Sequence, residues 1–92
     1  MKFKLTANQL CVLVGTRDNG GIVSPIGGGY WQHGNVKITT ANTTATINSL
    51  TAKGYLVRVE DAAEPHYRQS RAITELGKHA ATEYQAQRKA ET

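Results

Sequence analysis

Gly54 separates two stretches that cannot share one backbone conformation, and this junction constrains the chain more than any other feature. Before it, Thr43, Thr46, Ile47 and Leu50 recur three and four residues apart, the spacing that places side chains on one face of a helix. Thr39 or Thr40 supplies an oxygen for the first free backbone N–H groups and is the expected N-cap. Lys53 falls in the last turn, where a cation suits the helix dipole, and Gly54 accepts the left-handed conformation that ends a helix. After it, Tyr55-Leu56-Val57-Arg58-Val59 is aromatic or β-branched at most positions and reads as a strand.

The opposite face of this helix carries Ala41, Asn42, Thr44, Ala45, Asn48, Ser49 and Ala52, with no carboxylate. A helix face that only meets water usually carries Glu and Lys, which are good helix formers. Asn, Thr and Ser form helix less well but exchange hydrogen bonds readily with the edges of bases. The alternative is a threonine-rich helix facing water or another protein.

The residues from Leu50 onward resemble the second half of a winged-helix DNA-binding domain of the MarR or PadR type. The resemblance rests on Leu50, Lys53-Gly54, Tyr55-Leu56, Arg58, an Asp61–Pro65 turn and Ile73-Thr74-Glu75-Leu76-Gly77, and it covers about residues 38–80. It implies an α+β fold, a small winged helix. Its elements here would be a first helix, a recognition helix over 40–53, a two-stranded wing over 55–72 and a C-terminal helix, with a Gly-rich irregular segment where the sequence departs from the family. It also implies that Thr40, Asn42, Thr44, Ala45 and Asn48 face the major groove of double-stranded DNA. Arg68, with Arg58 and Arg71, would hold phosphates.

Ninety-two residues make a single domain, 1–92, that buries only about two thirds of its unfolded surface, so a second copy would add to a modest core. With 39% hydrophobic and 20% charged residues the chain is globular rather than disordered. No run approaches the roughly twenty apolar residues of a membrane helix, so no membrane partner is expected. MKFKLTANQL has no long apolar core and does not read as a signal peptide. The lone Cys11 lies in an apolar run, which points to a buried thiol and a reducing, cytoplasmic setting. A net charge of +4 permits contact with phosphate, although Glu60, Asp61 and Glu64 make the wing acidic.

Elsewhere, Leu5 to Gly15 is the first helix, capped by Thr6, and Arg17-Asp18-Asn19-Gly20-Gly21 is a turn. Seven of the nine glycines fall between Gly15 and Gly34. Each glycine inside a helix costs about 1 kcal/mol against alanine, so the supporting helix of a helix-turn-helix is not expected at 27–35. An irregular loop takes its place, with short extended pieces at Gly21–Ser24 and Tyr30–Gln32, and with Tyr30 and Trp31 plugging the core. Tyr55–Glu60 and Tyr67–Ala72 should pair as an antiparallel hairpin with Ala62-Ala63-Glu64-Pro65 at its tip. Thr74 caps a last helix to about Lys89, and its Leu76, Ala80 and Tyr84 stripe suits either the first helix or a second subunit.

His33, His66 and His79 are scattered, no phosphate-loop glycine spacing is present, and no nucleophile or carboxylate pair stands out. We therefore expect no cofactor, no metal and no enzymatic activity. Two readings compete. One is a small transcriptional regulator that binds DNA, as a homodimer on a two-fold site. The other is a winged-helix-like adaptor or inhibitor that binds another protein, as small phage or mobile-element proteins do.

Overall fold

Three helices and a five-stranded antiparallel sheet make up the computed structural model, an α+β architecture described for residues 4–39, 42–59 and 70–91. The elements run α1 (Ala7–Asp18), β1 (Ile22–Gly27), β2 (Tyr30–His33), β3 (Val36–Lys37), α2 (Thr43–Ala52), β4 (Leu56–Arg58), β5 (Arg71–Ile73) and α3 (Glu75–Glu91). The strands lie in the order β3-β2-β1-β5-β4. None of the helices is long and apolar enough to cross a membrane, among the described residues.

Local chemistry explains the helix ends. Thr6 accepts from the Gln9 backbone N–H, and the Gln9 side chain accepts in return from the Thr6 N–H, a reciprocal cap that satisfies two exposed donors. Helix α1 runs past Gly15 to Asp18, so the turn expected to begin at Arg17 starts at Asn19 instead. Gly15 is retained inside the helix because the His33 ring of β2 packs against it; a Cβ there would sit 2.5 Å from Nε2. Arg17, still helical, donates through Nη1 to Thr82 Oγ1 at 3.1 Å and through Nη2 to Gln85 Oε1, which pins α1 to α3.

Residues 22–37 form a three-stranded meander, which corrects the expected irregular loop. The glycines gather in the turns: Gly20 and Gly21 precede β1, Gly27, Gly28 and Gly29 join β1 to β2, and Gly34 lies between β2 and β3. All six adopt positive φ, so the strands between them keep Ile22, Val23 and Trp31. No helix forms over 27–35, as expected. Trp31 enters the core at 4% exposure, but Tyr30, expected beside it, is 54% exposed because adjacent strand residues face opposite sides.

Helix α2 starts at Thr43, later than the Thr39 or Thr40 cap would require; Thr40 lies outside the described residues. Asn42 occupies the N-cap position in the left-handed region, φ 56°, which asparagine tolerates better than most side chains. Thr43, Ile47 and Leu50 are buried as their spacing predicts, and Gly54 ends the helix with φ +86°. Strands β4 and β5 pair Leu56 with Ile73, Val57 with Ala72 and Arg58 with Arg71, antiparallel as expected, but β5 also pairs with β1, so the two strands belong to the five-stranded sheet rather than to a separate two-stranded wing. The expected tip at Ala62-Ala63-Glu64-Pro65, the acidic Glu60 and Asp61, and Tyr67 to Gln69 lie outside the described residues.

The core joins Leu13 of α1, Ile47 and Leu50 of α2, Leu56 of β4 and Val23 of β1, each contributing about 1.5–3 kcal/mol by leaving water. Helix α3 adds Ala80 and Ala81 and packs mainly on α1. Leu76, expected in that stripe, is 43% exposed, and the buried positions are Gly77, Ala80 and Ala81 instead. Cys11 is exposed, contrary to expectation, because α1 turns Leu10, Val12 and Leu13 inward.

The junction at Gly54 is tied to the start of α3. The Thr74 hydroxyl lies 2.7 Å from the Gly54 carbonyl and 3.1 Å from that of Tyr55, and it accepts from the Gly77 N–H at 3.2 Å. Gly77 packs so close that a Cβ would overlap the Tyr55 carbonyl oxygen and stand 2.7 Å from Ile73 Cγ1. Replacing Gly77 with Ala should therefore destabilise the protein by about 1–3 kcal/mol despite the better helix propensity of alanine, read as a lower urea midpoint.

Candidate nucleic-acid interface

Helix α2 is amphipathic in an unusual way, and its packing decides which of its polar groups remain available. Thr44 is exposed, but its hydroxyl is engaged within the protein. Its hydroxyl oxygen accepts from the buried Trp31 Nε1 at 3.0 Å and the hydroxyl donates to the Gly29 carbonyl at 3.2 Å. This relay joins α2 to the β1–β2 turn and to the only tryptophan. Ser49 is spent too, since its hydroxyl accepts from Gln9 Nε2 at 3.1 Å and so couples α2 to α1. Asn42, Ala45 and Asn48 remain exposed along one side of the helix.

These three residues line an open groove of about 780 Å³ between α2 and the β2–β3 hairpin. The other wall is made by Tyr30 and Lys37, with Gly29 at its end. No carboxylate is among the described residues that line the groove. Lys37 Nζ rests 4.0 Å from the centre of the Tyr30 ring, where the electron-rich face attracts a cation. The two side chains share a face because Lys37 pairs with Gln32, two residues along β2 from Tyr30.

The arginines divide. Arg58 is exposed on β4, the edge strand. Arg71 is 4% exposed, with its guanidinium 5.6 Å from the centre of the Trp31 ring, which removes it from the surface set of phosphate ligands. Burial lowers its pKa from the usual arginine value, and the nearby positive Arg58 lowers it further. Both arginines point to the helix-covered side of the sheet, but β5 is flanked by β1 and β4 whereas β4 has one neighbour. Arg68, like Thr40, lies outside the described residues.

Of the residues the sequence singled out, the structure thus brings Asn42, Thr44, Ala45 and Asn48 together along one groove, with the Thr44 hydroxyl already engaged by Trp31 and Gly29. Sequence reasoning missed Tyr30 and Lys37. The signal was present in His33-Gly34-Asn35-Val36, a two-residue Gly-Asn loop that marks a tight hairpin and places Lys37 back beside β2. No family model, no curated protein and no solved structure matches the chain.

Thr44→Val keeps the shape of the side chain but leaves the buried Trp31 N–H without its acceptor. The loss should cost about 1–3 kcal/mol in urea denaturation, accompanied by a shift in Trp31 emission. An unchanged midpoint would show that the relay does not hold α2 in place.

Proposed function

We propose that the protein binds double-stranded DNA, with α2 entering the major groove, and acts as a small transcriptional regulator in the cytoplasm. The observation that carries this reading is the exposed, carboxylate-free row Asn42, Ala45 and Asn48. An asparagine carboxamide can bond an adenine through two hydrogen bonds, and alanine offers an apolar contact to a thymine methyl. Thr44 then acts as a positioning residue, holding the helix rather than reading a base. Arg58, at the exposed edge of the sheet, and Arg68 are the proposed phosphate ligands of the β4–β5 hairpin.

What supports a winged-helix form of this proposal is the second half of the chain, in which the polar helix α2 is followed by the β4–β5 pair and then by α3. The β2–β3 hairpin occupies the place where a supporting helix would stand. A homodimer on a two-fold site belongs to the same proposal, although Gly77, Ala80 and Ala81 of α3 are already buried within one chain.

A protein-binding adaptor is the second reading, favoured by the exposed apolar residues Ile22, Val57 and Val59 on the sheet. The two separate by mutation. Asn48→Ala should weaken binding to a selected DNA site by about 1–3 kcal/mol while changing affinity for random duplex little, measured by gel shift after selection from a random library. Failure to select any DNA sequence, together with retention of a protein partner that is lost on changing Val57 to Asp, would favour the adaptor.

A further inference from the structure

We infer that the β2–β3 edge is a second DNA contact, with Lys37 gripping the phosphodiester backbone beside the groove that α2 enters. This inference rests on the DNA reading proposed above and extends it to residues on a different element. A lysine on a short edge strand ordinarily does no more than keep other strands from pairing there. Lys37 differs from that ordinary case in three respects.

First, its position is set by the fold. Strand β3 is only two residues long, and its pairing of Gln32 with Lys37 carries the lysine across to the Tyr30 side of the sheet. The Tyr30 ring then holds the ammonium 4.0 Å from its centre, so a long side chain that would otherwise sample many rotamers is largely ordered before any ligand arrives. Less entropy remains to be lost when it meets an anion.

Second, no carboxylate among the described residues pairs with it. The carboxylates that form ion pairs among the described residues are Asp18 with Arg17 and Glu75 with Lys78, and neither lies in the groove. The groove offers Lys37, the Tyr30 ring and the exposed Asn42 and Asn48 carboxamides, with no carboxylate among its described lining residues to repel phosphate.

Third, the groove is an open trough rather than a closed pocket, and one wall is the exposed row of α2. A compact free anion would leave most of it empty, whereas a duplex strand would run along it. With α2 in the major groove, the flanking strand is the backbone that meets this wall. The Thr44 relay to Gly29 fixes the spacing between the two walls, so base contact and phosphate contact are set by one hydrogen-bond chain.

The test is a salt series on a random duplex of about thirty base pairs, with the parent protein, Lys37→Gln, Lys37→Arg and Asn48→Ala. The logarithm of affinity falls linearly with the logarithm of salt concentration, by about 0.9 for each phosphate neutralised. Lys37→Gln should flatten that slope by about one unit and weaken binding at low salt. Lys37→Arg, which keeps the cation, and Asn48→Ala, which removes a base contact, should retain the parental slope. Unchanged emission from the buried Trp31 confirms that the variants are folded. A parent that binds while Lys37→Gln keeps its affinity and slope overturns this inference and leaves the role of α2 standing. A parent that fails to bind duplex even at low salt overturns both.

Discussion

The hydrogen bond from the Trp31 indole to the Thr44 hydroxyl is the contact on which the rest of the arrangement depends. It is passed on to the Gly29 carbonyl, so one hydrogen-bond chain, buried at its Trp31 end, joins the sheet, the polar helix and the turn beside it. A tryptophan packed this deeply must satisfy its N–H, and the cost of leaving it unpaired makes the partner helix sit at one rotation. Arg71 packs over the same ring from the neighbouring part of the sheet, which adds a buried cation to the aromatic face. The meander, α2 and β5 therefore meet at a single side chain.

Around this point the exposed and internal roles of the polar residues sort themselves out. Helix α2 carries few strong helix formers, so its stability comes from the buried Thr43, Ile47 and Leu50 and from the bonds of Thr44 and Ser49 to other elements. What is left outward is a short row of amides and alanine without charge. Lys37 and Tyr30 reach the same groove from a strand pair formed independently, which is how a weakly basic chain concentrates a cation at one surface. The overall charge of +4 matters less than this placement.

The opposite end of the molecule is held by backbone proximity rather than by a large side chain. Gly77 lets α3 approach the Tyr55 carbonyl, and Thr74 bonds both sides of the Gly54 junction. Gly15 plays the same part beneath the His33 ring. At these two helical glycines a close approach to a neighbouring element sets against the loss of helix propensity, and the packed neighbour is what makes glycine the fitting residue.

The caps at Thr6 and Thr74, the Gly54 stop and the antiparallel pairing of β4 with β5 were legible in the sequence because they are decided within a few residues, whereas the start of α2 was not. Thr6 and Thr74 bond donors three positions away, and Gly54 needs only its own freedom in φ. The Gly-Asn loop after His33 was equally local, and the density of glycines hid it by suggesting disorder of shape where the glycines were turns. The candidate site was legible only in part. Which groups of a polar helix face outward depends on partners far along the chain: Trp31 is thirteen residues from Thr44, and Gln9 is forty from Ser49. Arg58 and Arg71 look alike in sequence, yet one lies on an edge strand and the other between two strands beneath a tryptophan. Exposure of a strand residue is set by its neighbours in the sheet, and the strand that flanks Arg71 on its far side is β1, which no local pattern around the arginines specifies.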